Sequence, residues 1–551
     1  MTVTPPPLLR NDPGAFERHA AAGWYQATTL ADHVRRWAAE RPDALAYVNE
    51  LGSMDWRTYD ARSTELARAL AGAGLAPGAR IAVLLPDGPG VHTAYLAGEK
   101  AGLVVVGIGP RAGRNEVEHL LRRTGARALV TNELHRGAPA ADLVRAARDA
   151  GLPIDLHVVV PADGDAVEIR IAGKPADPAA SIEGRGHGPN DLFFLNSTSG
   201  TTGMPKCVMQ HQNRWFYFHH LAAEAGAFGP DEVVMSVVSA PFGFGLWTAH
   251  FTPTILGAPC IVMGRFSAAG ALDLIERHRV TVLACVSTQF IMMLNDPTFA
   301  ARDLSSLRVM FTGGEAVPHE RAAAFEERTG ASVLQFYGSN ETGALSRTST
   351  RDGRHERLTT AGRVIEEMEV RLFDDDGADV TAGGGPGQPG CRGPATCLGY
   401  LDDESANREL FTDDGWMLTG DIATIDREGY LRVVGRKSDI IIRGGKNISA
   451  AQVEAEVGTH PDVAMVAAVA KPDATFGERV CVFVVPRDGR EVSLTDVVAH
   501  LTDRGLSPEL FPEHLELIDE MPQASGGKIA KAVLRERLAG GSVTPVRSAA
   551  S

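Results

Sequence analysis

Apolar residues along this chain recur in two alternating rhythms. Short, almost wholly apolar runs, ARIAVLLP (79–86), LVVVGIG (103–109) and LRVMFTGG (307–314), end in glycine or proline. Runs of that length predict strands buried on both faces. Between them lie amphipathic stretches, GVHTAYLAGEKAG (90–102), RNEVEHLLRRTG (114–125) and HERAAAFEERTG (319–330), the last leading into SVLQFYG (332–338). Strand–helix alternation from about Thr28 to Tyr337 predicts an α/β architecture of doubly covered, mainly parallel sheets.

The rhythm then changes twice. Glycine and proline crowd residues 377–394 (GADVTAGGGPGQPGCRGP), which predicts turns and short β structure, a small β-barrel-like portion of the same unit. After GYLRVVGRKSD (429–439) comes a compact set: DIIIRGG, the helical AQVEAEVGTH, VAMVAAVA, RVCVFVVP, the helical TDVVAHLTDRG, HLELID and a closing KAVLRERL. That set suffices for a separate α+β domain. The expected division is a large N-terminal domain over 1–436 and a small C-terminal domain over 437–551.

Composition narrows the function classes. The chain has 551 residues, 44% apolar and 22% charged, the profile of an ordinary globular protein with a large core. Its net charge of −15 comes with no basic block, which argues against nucleic acid as a partner. No apolar run approaches the roughly 18 residues of a membrane span, and the start, MTVTPPPLLRND, lacks the features of a secretory signal. A cytoplasmic location is the expectation. The cysteines (207, 260, 285, 391, 397 and 481) stand singly, without a C-x₂-C pair, so neither a zinc site nor a disulfide framework is indicated.

Five segments could carry chemistry. Ser197-Thr198-Ser199-Gly200-Thr201-Thr202-Gly203-Met204-Pro205-Lys206 follows the apolar DLFFLN. Its glycines let the backbone approach a phosphate, its hydroxyls donate, and Lys206 adds a charge at the far edge. It is not a Walker A loop, because G-x₄-G-K-[ST] is not met; on composition alone it could be a flexible linker. Gln335 to Thr342 (QFYGSNET) puts Glu341 beside a glycine turn at a strand end, where a carboxylate can hold Mg²⁺ together with substrate phosphates, or simply cap a helix. Asp421, in GWMLTGD, can accept hydrogen bonds from ribose hydroxyls or serve as a turn aspartate. The fourth is GRKSD (435–439) with RGGKN (443–447), and the fifth PQASGGK (522–528), which ends in Lys528 on a glycine loop.

In this order and spacing the five segments resemble the adenylate-forming superfamily of acyl-CoA synthetases, aryl- and alicyclic-acid ligases, peptide-synthetase adenylation domains and luciferases. The resemblance spans nearly the whole chain and implies roles residue by residue. Ser197 to Lys206 would hold the ATP phosphates. Gly313, Gly314 and Glu315 would line the adenine, with Tyr337 and Gly338 beside it. Glu341 would associate with Mg²⁺. Asn340 stands where the family usually has a threonine touching the α-phosphate, and its amide can also donate there. Asp421 would bind ribose and Arg436 the nucleotide. Lys528 would bridge the acid's carboxylate and the α-phosphate. The small domain would be mobile, turning about Ser438, where Asp or Lys is usual, to bring Gly444, Gly445 and Lys446 to a tunnel for the thiol.

By the same resemblance Phe242, Gly243, Phe244, Trp247, Phe290 and Ser339 line the acid pocket. Ligases for 2,3-dihydroxybenzoate usually place an asparagine where Gly243 lies, so its absence speaks against a catechol acid. The aromatics suit a hydrophobic ring or medium chain, although Trp247 could equally fill the core. The expected activity is ATP-dependent acid:thiol ligation with Mg²⁺ and coenzyme A, by a monomer or homodimer. Loading of a carrier protein's phosphopantetheine remains open beside it. A non-catalytic nucleotide-binding protein is the remote alternative, since a scaffold has no need for Lys528, Glu341, Asp421 and Arg436 together.

Overall fold

A computed structural model describes residues 5–161, 169–172, 174–175, 177, 179–197, 204–315, 317–444, 446–524 and 527–538. The apolar runs become the centres of two large sheets. In the nine-stranded sheet, Leu45–Val48, Cys260–Val262, Val234–Ser236, Val282–Ala284, Val309–Gly313 and Ser332–Ser339 lie side by side and parallel. Antiparallel strands close both edges, Ser53–Asp55 at one and Gly343–Arg347 with Arg363–Val364 at the other. In the eight-stranded sheet, Leu156–Val159, Ala128–Thr131, Arg80–Leu84, Val104–Gly107 and Phe194–Ser197 form the parallel centre.

Two helices lie in the main core where the sheets meet. Pro89–Lys100 buries Val91, Ala94, Tyr95 and Ala97 among residues of both sheets, and Gln212–Ala225 adds Trp215, Phe216, Phe218 and Leu221. Both helices are buried on most of their circumference, polar residues such as Glu99 and Arg214 included, which places them between layers and not on a surface. Local chemistry sets where other helices start. Thr29 accepts from the Asp32 amide while Asp32 accepts from the Thr29 amide, a reciprocal cap that opens Leu30–Glu40.

The glycine-rich stretch gives short antiparallel pieces: Arg371–Phe373, Gln388–Cys391 and Met417–Leu418 in one sheet, Asp421–Ile425 and Leu431–Arg436 in another. A single-turn 3₁₀ segment, Lys437–Asp439, follows. Beyond it begins a separate sheet whose long strands Val463–Asp473 and Gly477–Pro486 pair antiparallel, with Ile440–Arg443, Lys446–Ser449 and His514–Leu517 around them. This sheet has its own core, Val453, Val457, Val480, Val482, Val497 and Leu501 among others. All six cysteines are buried and unbridged, as expected of core thiols. Among the described residues no helix is long and apolar enough to cross a membrane.

Candidate active site

The site lies at the carboxyl ends of the parallel strands, where open α/β sheets present their loops. Phe194–Ser197 ends on buried Ser197 and returns antiparallel as Cys207–Gln210. Thr198, Ser199, Gly200, Thr201, Thr202 and Gly203 lie outside the described residues. Lys206, at the far edge of that loop, sits 5.0 Å above the Tyr400 ring and 3.9 Å from the Glu409 carboxylate.

The neighbouring strand ends supply the next group. A Cβ on Gly313 would come within 2.4 Å of the Phe336 carbonyl, so the strands Val309–Gly313 and Ser332–Ser339 can approach only with glycine there. Tyr337 donates its hydroxyl to Asp421 Oδ2 at 2.8 Å, and Arg436 Nε meets Asp421 Oδ1 at 3.0 Å. Burial, then the Asp421 charge, pushes the Tyr337 phenol well above its ordinary value, so it stays a neutral donor. Tyr337, Asp421 and Arg436, 84 and 15 residues apart in sequence, thus form one cluster.

The turn after Tyr337 is tied from within. Ser339 Oγ accepts from the Glu341 and Thr342 amides at 3.1 Å, and Thr342 Oγ1 accepts from the Ser339 amide at 2.9 Å. At Gly338, a Cβ would fall 1.7 Å from the Gly343 carbonyl, so this crossing also requires glycine. Glu341 Oε1 accepts from the Tyr400 hydroxyl at 2.7 Å. Beneath the turn lies Arg214, fully buried. It donates to the carbonyls of Ala395 at 2.8 Å and Asn340 at 2.9 Å, reaches the Glu341 carbonyl at 3.4 Å, and also donates to Gln210 Oε1. The Asn340 side chain faces Gly243: a Cβ on Gly243 would lie 2.4 Å from Asn340 Oδ1 and 3.2 Å from Trp215.

Lys528 reaches this cluster from the other domain. The bridge between Gln523 and Ile529 closes a hairpin, and the Lys528 carbonyl accepts from the Ala524 amide at 2.8 Å. Lys528 Nζ then donates to the Gly314 carbonyl at 2.6 Å. Burial pulls its ammonium below the ordinary lysine value, opposed by the charge of Glu315. Glu315 is pushed up by burial and opposed by Lys528; its Oε1 takes the Ser287 amide at 2.8 Å, at the start of helix Ser287–Asn295.

Several contacts hold the small domain in this pose. Thr288 Oγ1 donates to the Gly527 carbonyl at 2.8 Å, and Arg111 donates to the Ala524 carbonyl at 2.6 Å. Arg321 donates to the carbonyls of Gly458 and Val463, both at 3.1 Å, and Arg487 meets Asn295 Oδ1 at 2.8 Å.

The other expected site residues divide. Phe244 and Trp247 stack at 5.5 Å, and Trp247 also packs on Phe218 and Phe336, inside the core cluster that runs up to Gly243. Trp247 is therefore buried core as well as pocket backing, and Phe242 is half-buried beside it. Phe290 departs from its expected place: it is fully buried against Phe325 in the second core, on the inner face of its helix. The preceding Thr288 and Gln289 are the residues of that helix that turn toward the site, and Gln289 Nε2 donates to the Val237 carbonyl at 2.6 Å. The Ser438 backbone lies in the 3₁₀ turn, flanked by Lys437, 2.9 Å from Asp375, and Asp439, 2.5 Å from Arg535. Gly444 and Lys446 bond within the small domain, to Phe476 and Glu509, and do not join the cluster; Gly445 lies outside the described residues. Sequence reasoning missed Tyr400, Arg214, Gln210 and Arg321, none of which carries a local motif.

With this geometry in view, comparison with known proteins is direct. The family model of AMP-binding enzymes matches residues 34–401, and that of the AMP-binding enzyme C-terminal domain matches 452–528. A 2-hydroxy-7-methoxy-5-methyl-1-naphthoate–CoA ligase of Streptomyces carzinostaticus is 32% identical over 534 residues, covering 94% of each chain. A medium-chain fatty-acid–CoA ligase of Escherichia coli is 29% identical, covering 93% of this chain and 91% of that one. In fold, the chain matches a crystal structure of an anthranilate CoA ligase in complex with anthranoyl-AMP, with a TM-score of 0.82, 24% identity and coverage of 94% and 98%. These matches span nearly the whole chain, and this chain belongs to the AMP-binding, adenylate-forming family of acid–thiol ligases.

Proposed function

We propose that the protein is an ATP-dependent ligase that joins a hydrophobic acid, an aromatic one first, to coenzyme A through an acyl-adenylate. The observation that carries this reading is the position of Lys528, whose ammonium lies 2.6 Å from the Gly314 carbonyl beside the Tyr337–Asp421–Arg436 cluster. Support for an aromatic acid comes from the Phe218, Phe244, Trp247 and Phe336 cluster behind Gly243 and from the naphthoate ligase among the relatives. Support for coenzyme A comes from the CoA ligases among them.

In the first half-reaction a carboxylate oxygen attacks the α-phosphorus, and the bond to the bridging oxygen breaks with its electron pair leaving on pyrophosphate. Two anions must meet, so fixed cations and donors lower the barrier. Lys528 neutralises charge shared by the carboxylate and the α-phosphate. Asp421 and Arg436 orient the nucleoside end, and no general base is needed because the acid is already ionised. Glu341 fits a role toward Mg²⁺: one carboxylate oxygen is held by Tyr400, the other has no hydrogen-bond partner among the described residues, and a single carboxylate is the usual protein share of a site completed by phosphates. Bound there, Mg²⁺ would neutralise the departing pyrophosphate. In the second half-reaction the thiol sulfur replaces AMP at the acyl carbon. We assign that step to the pose reached by turning about Ser438, with Gly444, Gly445 and Lys446 on the thiol's path.

Acid-dependent pyrophosphate exchange over aromatic, alicyclic and straight-chain acids tests the assignment. The expected products of ATP are AMP and pyrophosphate; acid-dependent ADP would overturn the mechanism. The pH dependence should separate the half-reactions. Burial lowers the Lys528 ammonium value, so the charge that adenylation needs is lost as pH rises, earlier than for an ordinary lysine. Adenylation should show this alkaline limb in single-turnover assays, while thioester formation from ready-made acyl-adenylate should lack it.

A further inference from the structure

Glu341 follows the strand Ser332–Ser339 of the nine-stranded sheet, whereas Phe194–Ser197 and Cys207–Gln210, the strands on either side of residues 198–206, belong to the eight-stranded one. A metal ion shared by that carboxylate and by phosphates held between those strands needs the two sheets kept in register. One short segment spans them. The amides of Leu398 and Leu401 donate to the carbonyls of Met209 at 3.0 Å and Cys207 at 2.9 Å, and the Met209 amide donates back to the Gly399 carbonyl at 2.9 Å. At the start of the segment the Cys397 amide donates to the Glu341 carbonyl at 2.8 Å. Near its end the Tyr400 hydroxyl donates to Glu341 Oε1 at 2.7 Å. Backbone and carboxylate of Glu341 are thus both tied to the strand that follows residues 198–206.

Tyr400 makes a second contact with a different part of its side chain. Lys206 Nζ stands over the ring, 5.0 Å from its centre. One buried side chain therefore touches both charged groups read above as serving the metal and the phosphates. Burial, then the Glu341 charge, pushes its phenol above the ordinary value, so the hydroxyl stays a neutral donor. Its bond to Oε1 restrains the carboxylate and leaves Oε2 with no hydrogen-bond partner among the described residues. The path of the segment does not depend on the ring: Asn407 Oδ1 accepts from the Tyr400 amide at 2.8 Å, and Asn407 Nδ2 donates to the Tyr400 carbonyl at 2.9 Å.

We propose that Tyr400 is a positioning residue with two separable functions: its hydroxyl orients the Glu341 carboxylate for Mg²⁺, and its ring face steadies the Lys206 ammonium beside the phosphates of ATP. This rests on the ligase reading above and deepens it at its metal and phosphate end. A partner that holds a ligating carboxylate is worth about 10–100-fold in metal affinity. A cation over an aromatic face at a partly exposed site, as here with Lys206 41% exposed, is worth about two- to fivefold.

The test reads binding apart from turnover: ATP is titrated calorimetrically into the acid-free enzyme without metal, and Mn²⁺ binding to the enzyme–ATP complex is followed by electron paramagnetic resonance. Tyr400→Phe keeps the ring and loses the hydroxyl. Metal-free ATP should bind it as it binds wild type, while Mn²⁺ affinity should fall about 10–100-fold. Tyr400→Leu loses both, so it should show the same metal defect and also bind metal-free ATP about two- to fivefold more weakly. In a Glu341→Gln background Tyr400→Phe should cost no further Mn²⁺ affinity, because the hydroxyl acts through that carboxylate. In pyrophosphate exchange the Mg²⁺ concentration for half-maximal rate should rise in both Tyr400 variants with the KM of the acid unchanged, a split that a loosened fold would not produce. Wild-type Mn²⁺ affinity in Tyr400→Phe would overturn the proposal, as would a loss of the same size in the Glu341→Gln background. Equal metal-free ATP affinity in Tyr400→Phe and Tyr400→Leu would overturn its ring half. Wild-type enzyme that forms no AMP with any acid would instead refute the ligase reading on which the proposal stands.

Discussion

Lys528→Ala is expected to slow acid-dependent pyrophosphate exchange by about 10²–10³-fold, the usual cost of losing one donor aimed at developing charge. The side chain comes from a hairpin of the small domain and bonds the Gly314 carbonyl at 2.6 Å, so its loss should leave both domains folded. Thioester formation from ready-made acyl-adenylate should stay near the wild-type rate if that step uses the other face of the small domain. Ser438→Pro should do the reverse, because proline fixes φ at the turn between the domains and slows rotation more than adenylation. Single-turnover measurement of each step gives the comparison. Equal loss of both activities in both variants would refute domain rotation for this protein and reduce Lys528 to a structural residue.

Glu326→Leu is expected to cost about 3–5 kcal/mol of stability, the range for removing one partner of a buried ion pair. Glu326 joins its own helix, His319–Thr329, to the strand Ser332–Ser339 and the helix Arg354–Thr359. Its Oε1 takes the Val333 amide at 2.9 Å and the Arg357 guanidinium at 2.9 Å, and its Oε2 takes Arg354 at 3.1 Å. Without it, the Arg357 side chain, only 13% exposed, is left a largely buried cation with no ion-pair partner among the described residues. Arg354→Ala should cost under about 1 kcal/mol, because that side chain is 49% exposed and its pairing is screened by water. Urea midpoints for the two variants decide it; similar shifts would mean that burial does not set the worth of this cluster.

Much of the architecture was legible because burial on both faces writes itself into sequence as uninterrupted apolar runs. ARIAVLLP and LVVVGIG became neighbouring parallel strands; the stretch between them is a helix as expected, but it is buried on nearly its whole circumference and is not the surface helix that an amphipathic reading implies. Asp421, Glu341 and Lys528 drew notice as candidates for a different reason: each stands out as a charge in a glycine turn. Tyr400, Arg214, Gln210 and Arg321 have no such contrast. Each acts through one bond to a residue far away in sequence, 59 positions in the case of Tyr400 and Glu341, and no local pattern reports a partner at that distance. Phe290 was misplaced for a related reason. A helix of nine residues turns its sides within two positions, so Thr288 faces the site while Phe290 faces the core. Gly243 was read as a missing asparagine, whereas the space beside it belongs to Asn340, 97 positions on.

The bonds that hold the small domain have a consequence for evolution. Thr288, Arg111, Arg321 and Lys528 all end on carbonyl oxygens of the main chain across the boundary. Such a contact recognises where the backbone runs, not which residues it carries. The side chain of a residue such as Ala524 is therefore not read by the contact, and substitution there leaves the fit intact as long as the backbone path is kept. Lids of this design should be largely interchangeable among relatives, and a graft joined within Lys437–Asp439 should need attention at the seam chiefly where side chain meets side chain, as Arg487 does Asn295.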